Sequence, residues 1–239
     1  GQRVFDVRLG GKSVLEEFDV IAATGGSVSI SPELEMHMGH GRLATLRARD
    51  RGIPVSLSID VTTSVGGDMF SAMRALLAGT RYLVNLHAFD ADEAVDPLPL
   101  TAVEVVNFAT QGGATAAWMG SEVGSVTVGK KADLVLLRND HSPVSFPLLN
   151  PHGHVAFQAQ RGDVHTVLVD GRVVKRDGRL VDVDLAAART AVTATVEHLR
   201  ATMGEAAWQA GMNPEIPETE VLDNPYTYTD YRSAATHGG

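Results

Sequence analysis

The chain has 239 residues and a formal net charge of −9. A length of this order supports one large or two small cores, and the acidic balance, with Lys and Arg scattered, excludes a basic nucleic-acid or anionic-membrane face, leaving small molecules as the expected ligands. With no cysteine in the chain, disulfides and thiolate metal sites are excluded, and any metal must be held by His, Asp or Glu.

In chain order, Ser13 to Thr24 reads as a helix, with Ser13 and Glu16 as a capping box and Val14, Phe18, Ile21 and Ala22 near a 3.6-residue period; Gly25-Gly26 ends it. Ser27 to Ser31 alternates like a strand that Pro32 stops. A second helix is expected from about Gly41 to Arg51, carrying Leu43, Leu46 and Ala48, and after Gly52-Ile53-Pro54 the run Val55 to Asp60 reads as a second strand. This β-α-β order favours parallel strands under helices. Asp68 is an N-cap candidate for a helix over Met69 to Leu77, and Asp90 to Pro99, acidic and Pro-bearing, reads as a loop. Thr101 and Glu104 make a capping box before Val105, Val106 and Phe108.

From Val123 to Asp184 the pattern switches to short strands separated by Gly, Pro and Asn. Gly124 and Gly129 bracket an alternating run, Ser125 to Val128, that reads as part of a β-hairpin, with Lys130 and Lys131 as exposed cations at its turn. Residues 185 to 204 return to helix, with Val192, Val196 and Leu199 on one face. After Gly211 the chain, rich in Pro, Tyr and acids, reads as an extended arm. No uncharged apolar run reaches the ~20 residues of a bilayer span, and no signal segment is evident, so a cytoplasmic location without membrane association is expected.

Three spaced segments carry a resemblance. Gly124-Ser-Val-Thr-Val-Gly-Lys-Lys-Ala-Asp-Leu-Val-Leu-Leu137 resembles the signature that closes the barrel of metal-dependent amidohydrolases of the cytosine deaminase and atrazine chlorohydrolase group. Upstream, Leu100-Thr-Ala-Val-Glu-Val-Val-Asn-Phe-Ala-Thr-Gln-Gly-Gly-Ala-Thr-Ala-Ala117 is similar to the family's helix pair. Downstream, Asp163-Val-His-Thr-Val-Leu-Val-Asp-Gly-Arg-Val-Val-Lys-Arg-Asp-Gly-Arg-Leu180 is similar to its late hairpin. The resemblance implies an α/β fold: the C-terminal part of a (β/α)8 TIM-like barrel over residues 1–122 (strands seven and eight with their helices), part of a small β-sandwich over 123–184, and a helix with an extended arm over 185–239. A whole barrel takes ~250 residues, so only the later part is expected here. Arg3 to Leu9, without a family counterpart, reads as an added strand over an open sheet edge.

The same resemblance implies metal-assisted hydrolysis of a carbon–nitrogen bond in a small nitrogen-containing ring compound. Asp60, at the expected end of strand eight, is the implied general base and metal ligand; read alone, it is an Asp ending a strand and bonding turn amides. Glu33, Glu35 and His37, in the loop Ser31 to Gly41 that resembles the strand-seven loop, and Thr63 and Ser64 are the implied substrate contacts, although Glu33 and Glu35 stand where many relatives carry small polar or amide residues. His37 and His40 could share a helical face. His152-Gly153-His154 has the spacing of the family's first metal motif but lies in the late β-rich region. The other expected ligands, including the strand-six His that would fall near Gly10, are missing, so zinc or iron is expected of a complete enzyme while this chain carries Asp60 without its partners. The chain is therefore expected to be an incomplete segment that forms a homo-oligomer or needs a complementing polypeptide. The alternative is a non-catalytic remnant acting as an oligomerisation or binding module.

Overall fold

The computed structural model describes residues 4–9, 12–19, 25–40 and 42–215. The chain divides into two units, Gly1–Arg179 and Leu180–Gly239. In the first unit, β1 (Val4–Leu9) and β2 (Lys12–Asp19) form an antiparallel pair with Val4 opposite Asp19 and Leu9 opposite Lys12. The helix expected from Ser13 is therefore corrected to a strand as far as Asp19. Two β-capable runs flank Gly10-Gly11, the arrangement of a short hairpin, and the ladder to residues 4–9 supplies backbone partners that no local helix pattern reveals. The remainder of that expected helix, 20–24, lies outside the described residues, as does the arm beyond 215.

Strands β3 (Val28–Ile30) and β4 (Val55–Leu57) pair in parallel, Val28 with Val55 and Ile30 with Leu57. Between them run α1 (Pro32–His37) and α2 (Thr45–Asp50). The expected loop Ser31 to Gly41 thus holds a short helix, because Pro32 sits at its first position, where a missing N–H costs nothing. α3 spans Met69–Asp90 and continues well past Leu77, since no Gly-Pro break interrupts the run to Asp90. Its inner face, Met73, Leu76 and Leu77, packs with Ile30, Val55, Leu57 and Val105 in the main core. That apolar burial contributes roughly 25 cal/mol per Å².

Asp68 caps α3, its side chain accepting from Ser71 N, and Thr101 with Glu104 forms the expected capping box on α4 (Ala102–Asn107). Burial pushes the Glu104 carboxyl up, but hydrogen bonds from Thr101 and from Arg49, 3.0 Å away, hold it below its usual range overall. The helix continues through a π-turn, Phe108–Gly112, into α5 (Gly113–Ala116). Arg81, on α3, donates to the carbonyl of Leu100 at 2.6 Å and fixes the start of that segment.

The run Ser125 to Val128 is not a strand, which corrects the hairpin reading. Val126 and Val128 are almost fully exposed and join no ladder. The turn is held instead by Lys130, whose Nζ donates to Gln111 Oε1 (2.9 Å), Gly120 O (2.6 Å) and Val123 O (3.0 Å). Lys130 is half-buried, so only Lys131 is the exposed cation expected there.

β5 (Leu134–Leu137), β6 (Val164–Val169), β7 (Arg172–Arg176) and β8 (Arg179–Leu180) then form a four-stranded sheet in chain order. β6 and β7 meet at Asp170-Gly171, both at positive φ (50° and 77°), the turn that Asp-Gly pairs favour. A short helix α6 (Pro151–Gly153) and a π-turn, His154–Gln158, lie between β5 and β6.

In the second unit, α7 (Leu185–Met203) is capped by Asp184 and stops at Gly204, φ 78°. α8 (Glu205–Met212), which the sequence pattern had not marked, follows directly. No helix is long and apolar enough to cross a membrane among the described residues.

Candidate active site

The parallel register brings the C-terminal ends of β3 and β4 side by side, the place where open and closed parallel sheets present functional groups. Each strand runs into a serine, and the Ser31 and Ser58 hydroxyls meet at 2.6 Å. The sequence signal was the repeated pattern Ser29-Ile30-Ser31 and Ser56-Leu57-Ser58, which sequence reasoning left unused.

Around this pair the acids expected to contact substrate are already engaged. Glu35 Oε1 accepts the Ser31 backbone N–H at 2.8 Å, and Glu33 Oε2 accepts the Ser71 hydroxyl at 2.9 Å. Ser71 N donates to Asp68 Oδ1 at 2.9 Å, so Glu33, Ser71 and Asp68 form one network between α1 and α3. Both glutamates are half-buried and each keeps a second carboxylate oxygen outside these bonds.

Asp60 lies three residues beyond β4, exposed, in the left-handed region with φ 64°. Thr63 and Ser64 are exposed on the same loop, which runs to Asp68, and His37 is exposed at the end of α1. His154 is buried, its Nδ1 bonded to Gln158 Oε1 at 3.1 Å, while His152 is exposed. A surface hollow of about 480 Å³ lies along α3 and the turn after it, between Tyr82 and Val95, rather than at the strand ends. Its lining is mostly apolar, with Tyr82, Asn85 and Glu93 as its polar members, and it lies away from the parallel strand ends, where such folds present their functional groups.

The Amidohydrolase family matches residues 8–174, and the chain belongs to that family. It is 37% identical over 165 residues to 5'-deoxyadenosine deaminase of Methanothermobacter thermautotrophicus, which covers 69% of this chain and 36% of the relative. It is 29% identical over 170 residues to 5-methylthioadenosine/S-adenosylhomocysteine deaminase of Syntrophobacter fumaroxidans, covering 71% of this chain and 36% of the relative. The chain therefore spans little more than a third of the length of these curated relatives.

Among solved structures, an adenosine deaminase from Xanthomonas campestris with bound zinc superposes with a TM-score of 0.63 at 26% identity, over 73% of this chain and 38% of the other. An atrazine chlorohydrolase from Arthrobacter aurescens, complexed with zinc, superposes at 0.60 with 22% identity, over 72% and 36%, a likeness of fold. The described residues correspond to part of such barrels and close no barrel of their own, since their parallel sheet has two strands.

A protein-bound zinc ion takes three or four converging ligands. Among the described residues no three of His, Asp or Glu come together to hold a metal ion. The described residues therefore do not by themselves fit a zinc centre, and one exposed carboxylate at Asp60 cannot form one.

Proposed function

We propose that this chain supplies the last two strands of a (β/α)8 barrel, part of a β-sandwich and a helical tail to a hydrolase that cleaves a carbon–nitrogen bond of a small nitrogen-containing ring. On this reading the parts are 1–122, 123–184 and 185–239. The observation that carries it is the family match over 8–174 combined with an acid, Asp60, just past the C-terminal end of the second parallel strand. Asp60 accepts a proton from the attacking water; water oxygen bonds to the ring carbon, the carbon–nitrogen bond breaks, and the proton passes to the departing amine. Glu33, Glu35, His37, Thr63 and Ser64 contact the small-molecule substrate. The remaining strands and ligands come from residues beyond those described here, in the same protein or in a complementing polypeptide.

A second reading is a non-catalytic oligomerisation or binding module. Supporting it are the lack of a metal-holding cluster among the described residues and the exposure of large apolar groups such as Trp118, 92% exposed. A chimera separates the two: the Methanothermobacter deaminase with its matching segment replaced by this chain, assayed for ammonia release from 5'-deoxyadenosine. Turnover that Asp60→Asn lowers at least ~100-fold supports the hydrolase reading, since a general base usually contributes about 10²–10⁴. A folded, zinc-loaded chimera without turnover sinks it in favour of the binding module.

A further inference from the structure

We propose that α7 is an interaction surface for a second copy of this chain, the two α7 helices pairing antiparallel. This goes beyond the hydrolase reading and does not depend on it, since α7 lies outside the residues matched to the family. Leu185, Arg189, Val192, Val196, Leu199 and Met203 fall alternately four and three residues apart, the spacing of a coiled-coil seam. No residue of α7 is buried, and the five apolar members of the seam are 43–64% exposed.

The seam is narrow. Its flanking positions are Ala186, Ala188, Thr193, Thr195 and Thr202, with Arg200 as the charged exception already bonded to Glu205. A helix lying on a broad core carries a wider apolar stripe, whereas two apolar positions per heptad suit a single partner helix. Small, uncharged flanks let that helix approach closely and set no charge against it.

Arg189 selects both partner and direction. A parallel pair places Arg189 against its own copy, and like charges facing each other at a seam are unfavourable. An antiparallel pair levels Arg189 with Leu199, Val192 with Val196 and Leu185 with Met203, so the stripe complements itself under a two-fold axis, as an isologous interface requires. The Arg189 stem then packs along Leu199 while its guanidinium reaches water. Ten such side chains bury on the order of 500–1,000 Å² together, at or below the lower limit of specific interfaces, so the dimer is weak and concentration-dependent.

Light scattering and sedimentation on the full chain test this, from about 1 µM to about 500 µM. The expected result is a monomer–dimer equilibrium that the double variant Val192→Gln, Leu199→Gln weakens at least ~30-fold and Arg189→Leu strengthens at least ~10-fold, with unchanged helicity at low concentration. Because the chain has no cysteine, direction is read separately by oxidising a mixture of Val192→Cys and Val196→Cys chains. Antiparallel pairing gives mainly the mixed 192–196 disulfide. A monomer at every concentration, association indifferent to the seam variants, or mainly 192–192 and 196–196 disulfides overturns the proposal.

Discussion

The α-carbon of Gly112 rests against the carbonyl oxygen of Val55, so closely that a methyl group at position 112 would overlap the backbone of β4. The π-turn that carries Gly112 is thereby seated on the strand leading to Asp60, and both residues are buried. Gly112→Ala should destabilise the chain by about 2–3 kcal/mol, because backbone cannot move aside as a flexible side chain can. Gly211, in α8, has open space around it, and Gly211→Ala should instead stabilise its helix by about 0.5–1 kcal/mol. Thermal melts of the pair check the contrast.

Lys130 donates to three oxygens from separate parts of the 111–123 segment. Lys130→Met should cost about 1–3 kcal/mol, since it leaves the carbonyls of Gly120 and Val123 without that donor. Lys130→Arg should rescue little, because a planar guanidinium does not reproduce the tripod. Lys131, bonded at 2.6 Å to the exposed Glu122, should tolerate Met within about 1 kcal/mol. Urea titrations, with hydrogen exchange at residues 120–124, distinguish these outcomes.

Glu205 accepts from Arg200 Nε and Nη2, each bond 2.7 Å, and from Gln209 Nε2 at 2.8 Å. The Arg200 hydrogen bonds, with Gln209 assisting, hold its carboxyl down at about 2. Its folded-state value is lowered, so its contribution to the α7–α8 corner is complete above the ordinary Glu range near ~4.3 and is lost as pH falls through about 2. Helicity by circular dichroism should therefore fall between about pH 4 and pH 2. Glu205→Gln should flatten that limb, and added salt should shrink it because the pair is exposed.

Asp60 and Asp68 should part company under the same substitution series. Asp68 accepts the Ser71 amide as the cap of α3, so Asp68→Ala should cost about 1 kcal/mol and Asp68→Asn little. Asp60 sits exposed at φ 64°, a conformation Asn accepts readily, so Asp60→Asn should leave the melting temperature unchanged while Asp60→Ala costs about 1 kcal/mol. Melts of the four single variants decide it, and an Asp60→Asn chain that unfolds early would show that this carboxylate is structural.

The features legible in the residues alone are those closed within a few positions. Asp68 with Ser71 and Thr101 with Glu104 span three residues each, and Asp170-Gly171 makes its turn from its own backbone preferences. The family was legible too, because three motifs in order are a property of the linear chain, and so was the helix from Leu185, whose seam follows from spacing. What tertiary structure alone decided depends on partners far along the chain. Residues 12–19 carry a capping-box pattern and still form a strand, because β1 offers a ladder that a local pattern cannot weigh. Ser125 to Val128 alternate without a neighbouring strand and so form a turn, held by Lys130 reaching back to Gln111. Glu33 and Glu35 read as free acids in sequence, but Ser71 lies 38 positions beyond Glu33, and only the packing of α1 against α3 gives it that hydroxyl. Short-range hydrogen bonds cost little chain entropy to close and leave their mark in local composition, whereas long-range ones form only where the core has already brought distant segments together.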